Sequence, residues 1–374
     1  MRYYSALLLL YVIFALLRIG NRTNIGRKTL CFSLLLPAFM LIAFRSYSVG
    51  ADTFPYYYIY NNMSHYTSIM QPLSVTWMEP GYVLVTYVTS HLGLKYYQFQ
   101  ILVAIFYYIS VSKILIKYSK NIGMSCFLFL TMSGMFGMMN QTRMWISITI
   151  CLYAISYLEE KNLLRFCMIV LLASSFHMSA LTFLIAYPVR ILIEKNYRKA
   201  VWLVLISSVV LMIIGRPLFL WGSDLINRYS KYLSENNERF VLASILNFGV
   251  IGTVSWIVFR AERYKLRMIC NKNIDHYPQE LRDKQAITSS TFAILALGLS
   301  IIELSNTIIS RCLFFFSFPL LYAFANGLER IRNRNNRIII KTLVIILFSL
   351  KMYIILIFRP NWDLVTNYSF FWNQ

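Results

Sequence analysis

The chain has 374 residues, 58% of them hydrophobic and 14% charged, and its 36 Lys and Arg against 15 Asp and Glu leave a formal charge of +21. A soluble protein would carry about a quarter charged residues, so with a mean hydropathy of +0.57 the composition excludes an ordinary soluble domain. In a soluble protein the basic excess would point to nucleic acid; here the charges lie between apolar runs, where basic loops fix topology and meet anionic lipid, so nucleic acid is not an expected partner.

The apolar runs fall at 3–17, 30–44, 81–94, 96–112, 123–139, 145–158, 163–176, 178–189, 200–215, 240–259, 287–302, 312–324 and 338–358. Each is long enough, or nearly so, to cross about 30 Å of hydrocarbon. The alternation of a membrane barrel is missing. The expected fold is an all-α polytopic integral membrane protein, a single transmembrane domain over 1–374. The first run follows one Arg and lacks a small-residue cleavage site, so it reads as a retained helix rather than a signal peptide. Cys31, Cys126, Cys151, Cys167, Cys270 and Cys312 are scattered singly. That spacing indicates neither a disulfide framework nor a zinc site, and no metal or cofactor is expected.

Strongly basic loops lie at 18–28, 113–120, 161–165, 190–199, 260–285 and 330–341. Placing all of them in the cytoplasm requires an even number of spans between neighbours. The rule fails only between the first two, and holds there if 81–94 is a re-entrant or short helix, which a polar cavity tolerates. About twelve spans (11–13) follow, with both termini outside. The nearly unbroken apolar stretch 163–189 has basic residues at both ends, which demands a hairpin with its tip near Ser174-Ser175-Phe176-His177. The two larger external loops are 46–95, which contains the 81–94 segment, and 216–239; 260–285 is the main cytoplasmic loop. Arg45, Asp52, Glu79, Arg143, His177, Glu303 and Arg311 all fall on the external side of this map.

Those residues are the candidates for chemistry, and each has a structural alternative. Arg45 and Arg143 border apolar runs, so they either snorkel to the interface or hold an anion, since guanidinium groups suit pyrophosphate bidentately. Asp52 follows Gly50 in a turn, where it caps a backbone N–H or serves as general base for a sugar hydroxyl. Glu79 precedes Pro80-Gly81-Tyr82 and reads as a helix cap or an acid–base group. His177 has an imidazole suited to accept a proton near neutrality. Asn140-Gln141-Thr142 makes the start of the Arg143 run polar, and Arg311 lies close after Glu303, as an ion pair or a ligand clamp. The segment 46–78 has no Lys or Arg and is crowded with Tyr, Asn, Ser and Thr. Its aromatics fit the headgroup interface or a glycan path. Arg228 and Tyr232 sit in a loop that breaks the positive-inside trend, which suggests use against a phosphate.

Several segments in order resemble the EpsG/Wzy family of O-antigen and exopolysaccharide polymerases: Phe44-Arg45, Val49-Gly50-Ala51-Asp52-Thr53 and Tyr56; Glu79-Pro80-Gly81-Tyr82; Asn140-Gln141-Thr142-Arg143; Phe176-His177-Met178-Ser179-Ala180-Leu181; Arg228-Tyr229 with Tyr232; and a late Arg311 followed by aromatics. The resemblance implies a metal-independent membrane glycosyltransferase of the bacterial inner membrane, with its active site facing the periplasm or exterior. It would join undecaprenyl-pyrophosphate-linked oligosaccharides, donor to acceptor, beside a chain-length regulator. Asp52, His177 and Glu79 are the implied catalytic candidates, and Arg45, Gly50, Thr53, Tyr56, Asn140, Gln141, Arg143, Arg228, Tyr232 and Arg311 the substrate-binding ones. An O-antigen ligase or membrane acyltransferase would use a similar external site. A lipid-linked oligosaccharide transporter would instead show buried mid-span charges or an internal repeat.

Overall fold

A backbone in hydrocarbon must satisfy its own hydrogen bonds, which for one segment means a helix. The computed structural model follows that rule and describes all residues except 18–23, 133, 227–237, 271–279, 306–308, 361–363 and 374. Among the described residues there is no strand, only an isolated bridge between Arg45 and Phe370. The helices are α1 (Arg2–Leu17), α2 (Asn24–Ala43), α3 (Thr53–Met63), α4 (Met70–Val75), α5 (Pro80–His91), α6 (Tyr96–Tyr118), α7 (Ile122–Thr131), α8 (Gly134–Asn140), α9 (Thr142–Glu159), α10 (Leu163–Ser174), α11 (Ala186–Ile226), α12 (Glu238–Cys270), α13 (Glu280–Glu303), α14 (Ser310–Glu329) and α15 (Arg334–Phe358). A 3-10 helix over Met178–Ile185 joins α10 to α11.

Seven of the described helical stretches are long and apolar enough to cross a membrane, eight if the bent α7–α8 pair counts as one span. The distance from the expected twelve lies in the short and broken elements. α1 and α10 are apolar but shorter, and Met178–Gly215 enters as one stretch although Asn196 leaves helical geometry inside α11 (φ −156, ψ 93). The Asn196 carboxamide then accepts from Lys199 N at 3.0 Å, capping the continuation. α5 has 12 residues; at 1.5 Å each it is about 18 Å long and too short to span. Large exposed hydrophobics such as Trp202 (66%), Ile213 (66%) and Phe358 (74%) would be liabilities in water and are ordinary facing lipid.

The helices extend further than the apolar runs. The segment 46–95 is largely helical, occupied by α3, α4 and α5, and α11 continues into 216–239 as far as Ile226. Within 260–285, α12 reaches Cys270 and α13 starts at Glu280.

The chain forms two compact units. The first comprises Met1–Ala154, Met168–Leu181 and Leu328–Gln374. Its centre is α7, buried along its whole length. α1 crosses it so closely that a Cβ on Gly123 would stand 2.5 Å from the Phe14 carbonyl oxygen. Asn121, which caps α7 through Met124 N, also donates to Glu329 Oε1 at 2.8 Å, and Glu329 pairs with the buried Lys341. The C-terminal segment straps the opening of the chain: Ser46 N donates to Ser369 O (2.9 Å), Phe371 N to Phe44 O (3.0 Å) and Gly50 N to Leu364 O (3.2 Å). Tyr4 adds its hydroxyl to Val365 O at 2.8 Å.

The second unit comprises Ile155–Cys167 and Thr182–Gly327. α13 lies against both α11 and α12, close enough to α11 that a Cβ on Gly298 would stand 2.5 Å from Ser208 Oγ. The ends of the two arms of the expected hairpin meet here, while its tip at 174–177 belongs to the first unit. Tyr187 donates its hydroxyl to Lys161 O at 2.7 Å, Arg190 donates to Glu159 O at 3.0 Å, and the Phe166 and Phe183 rings stack at 5.9 Å.

Candidate functional site

The first unit brings the sequence motifs together in two docked pairs. In one, the turn at 49–53 rests on the end of α8. Gly50 adopts φ +101, and a Cβ there would stand 2.5 Å from Thr53 Oγ1 and 2.7 Å from Met139 O. Glycine is required on both counts: the left-handed backbone and the close approach. Thr53 donates to Val49 O at 2.8 Å and Met139 O at 3.1 Å, and Asn140 Oδ1 accepts from Asp52 N at 2.7 Å. The Asp52 carboxylate is exposed and makes no capping bond to α3, so its anticipated role as a cap does not apply.

In the other pair, the start of α5 docks on the turn after α10. Gly81 N donates to Ser175 O at 2.7 Å, and a Cβ on Gly81 would stand 2.8 Å from that oxygen. Glu79 occupies the N-cap position of α5 but makes no capping bond. Its carboxylate instead pairs with Arg143 at the start of α9, with side-chain exposures of 12% and 7%. Its second oxygen accepts from Met178 N at 3.4 Å. The Arg143 guanidinium also donates Nε–H to the Tyr56 hydroxyl at 3.4 Å and lies 4.2 Å from the Trp77 ring centre. Burial pushes the Tyr56 hydroxyl up from its ordinary pKa, against the pull of Arg143. His177 follows in the same turn. Its Nδ1 accepts from Ser179 N at 3.3 Å, which leaves Nε2 as the protonated nitrogen of the neutral ring.

Arg45 is 3% exposed and donates to Ile42 O at 2.5 Å, at the end of α2. Its own carbonyl and that of Ala43 accept from the Gln100 amide at 2.8 and 2.9 Å. Burial pulls the guanidinium below its ordinary value, and surrounding tyrosines, Tyr96 first, oppose that pull. Guanidinium remains charged in proteins, so Arg45 is a buried cation bordering a cavity of about 490 Å³.

Asp52, Thr53, Tyr56, Glu79, Asn140, Arg143 and His177 thus belong to one unit, as do Arg45, Gly50 and the half-buried Gln141. Arg311, at the start of α14, belongs to the other. There Glu303 accepts from Asn247 at 2.8 Å. Arg228 and Tyr232 lie outside the described residues. Trp77, Gln100 and Phe371 are neighbours that sequence reasoning missed. The only available signal was a local one for Trp77, a tryptophan two residues from Glu79. Among the described residues, no three His, Cys, Asp or Glu gather where a metal ion could sit.

Neither a curated protein nor a solved structure matches the chain. The model of the EpsG family matches residues 28–370, a span that contains both docked pairs and the Arg45 turn. With nearly its whole length matched, the chain belongs to the EpsG family.

Proposed function

We propose that this protein is a polysaccharide polymerase joining lipid-pyrophosphate-linked repeat units by glycosyl transfer at the external face of the bacterial inner membrane. Its family supports a polysaccharide-polymerase-type, glycosyltransferase-like membrane protein in general. The observation that carries the finer reading is the docking of segments far apart in sequence: 49–53 on Met139 and Asn140, and Glu79 and Gly81 on the His177 turn.

In the reaction, the bond from the donor's anomeric carbon to pyrophosphate breaks, and its electron pair leaves on the pyrophosphate oxygen. The acceptor hydroxyl oxygen forms the new bond to that carbon, and its proton passes to a base. Asp52 takes the proton or orients the acceptor, because its carboxylate is exposed while its backbone is held by Asn140. A positioned base contributes about 10²–10⁴-fold. His177 is the second choice: as base it accepts the proton on Nδ1 in place of the Ser179 N–H, and otherwise its Nε2–H donates to the acceptor or to pyrophosphate. Glu79, engaged by Arg143, positions that arginine rather than accepting the proton. Arg45 and Arg143 stabilise charge on the departing pyrophosphate by preorganised electrostatics, and Arg311 is a further substrate-binding cation of the second unit. Undecaprenyl is the expected carrier and a chain-length regulator the expected protein partner.

The test is extension of lipid-linked repeat units by the purified chain in liposomes. Wild type should build a ladder, and Asp52→Asn should bind substrate without extending it. Near-normal extension by Asp52→Asn beside an inactive His177→Gln would move the base to the histidine. In cells, a deletion strain should carry single repeat units on its lipid core. A strain with none points to transport or ligation, and an unchanged ladder refutes the proposal.

A further inference from the structure

The cavity beside Arg45 lies wholly within the first unit, bordered by 45–47, α3, the turn from α5 into α6, and Phe371. At about 490 Å³ it falls in the range of small-molecule sites. Its walls are flat aromatic faces. Tyr57 stacks on Tyr47 with ring centres 4.5 Å apart, and Tyr97 lies nearly parallel to Phe371 at 4.6 Å. The electron-rich face of such a ring attracts the polarised C–H face of a pyranose.

Two buried polar residues also line the cavity, Arg45 at 3% and Gln100 at 4% exposure. Arg45 Nε and Gln100 Oε1 are both buried without a hydrogen-bond partner. A buried donor and acceptor left unmet cost free energy, and both lie on residues that border this cavity. Among the described residues the charged ones lining the cavity are Arg45 and Lys95, with no carboxylate, so the lining favours an anion.

We infer that this cavity is a saccharide subsite for a sugar unit carrying an anionic group, with the pyranose against the aromatic walls and the anion toward Arg45 and Lys95. The inference rests on the polymerase reading for the reason a glycan reaches this place. The anion is either the carboxylate of an acidic sugar or a phosphate on an anomeric carbon. Both present oxygens to the same two cations.

The experiment uses the purified full-length chain carrying Asn61→Cys, a rim position that is exposed, with Cys167, Cys270 and Cys312 replaced by Ser; the native Cys31, Cys126 and Cys151 are buried. Maleimide labelling at position 61 is timed with a glucuronic-acid disaccharide, a hexose 1-phosphate, a neutral glucose disaccharide or inorganic pyrophosphate. An anionic saccharide should slow labelling at least about threefold, a modest binding free energy, and more than the neutral disaccharide does. Whichever of the two protects identifies the source of the anion. Lys95→Gln, an exposed and structurally mild change, should remove most of that protection, and so should Tyr97→Ala. Absence of protection by any saccharide, whether or not pyrophosphate protects, or protection by the neutral disaccharide equal to that by the anionic ones, overturns the subsite. Polymerisation by the Asn61→Cys chain without any protection at position 61 refutes the subsite and leaves the polymerase standing. Protection without polymer does the reverse.

Discussion

Removing the Glu79 carboxylate strands a buried cation. In Glu79→Ala, Arg143 keeps its position beneath the Trp77 ring and beside the Tyr56 hydroxyl but loses its counter-charge. Losing one partner of a buried pair costs about 3–5 kcal/mol, and side-chain exposures of 7% and 12% leave little water to soften the loss. The expected penalty is about 3 kcal/mol, roughly a hundredfold in the ratio of folded to unfolded protein. Glu79→Gln keeps the volume and an oxygen for Met178 N, so about half of that is expected. Adding Arg143→Gln to Glu79→Gln removes the stranded charge, and the cycle should return a coupling of about 0.5–3 kcal/mol. The assay is survival of the monodisperse full-length protein in detergent across a denaturant series, for all members of the cycle. If Glu79→Ala unfolds within about 0.5 kcal/mol of wild type, or the coupling is zero, Glu79 is not what holds Arg143.

Gly50→Ala places a methyl group against Thr53 and the Met139 carbonyl at a positive φ, for an expected cost of about 2–5 kcal/mol. Gly93→Ala, also at positive φ but with nothing within 4 Å, should cost only about 1–2 kcal/mol; equal stabilities of the two variants in detergent would refute the contact argument. Arg45→Lys, Arg143→Lys and Arg311→Lys should each lose most polymer at normal protein level in the membrane, because lysine keeps the charge without the planar fork; normal ladders from all three would make these arginines topological anchors. Cysteine at Asp52 or His177 should label from outside intact cells and cysteine at Lys272 should not, and the opposite pattern would invert the expected orientation.

The helical membrane class was legible because hydropathy reports the medium directly. The turn at Ser174–His177 was equally legible, because basic residues at both ends of one apolar stretch force the chain to return. Helix ends were less so: α11 runs on to Ile226, past the end of the apolar run at 200–215, since the end of an apolar run does not oblige a helix to stop. Glu79 shows a deeper limit. Beside Pro80-Gly81 every local rule makes it a helix cap, yet its partner stands 64 positions away, and no spacing rule reaches that far. The strap at 364–371 left no readable signal, because its backbone hydrogen bonds carry no residue preference and the partners of its aromatic rings, such as Tyr97 for Phe371, lie far away in sequence.

That strap also imposes an order on synthesis. Ser48 and Ser369, which it brings within 3.5 Å, are 321 positions apart. At about 5–20 residues per second the ribosome needs roughly 16–64 s to travel between them. Throughout that interval the turn bearing Asp52 is already made but lacks the backbone partners that complete it. A nascent chain that has passed residue 177 therefore already carries Asp52, Glu79 and His177 while the turn at 46–50 still waits for its backbone partners at 364–369.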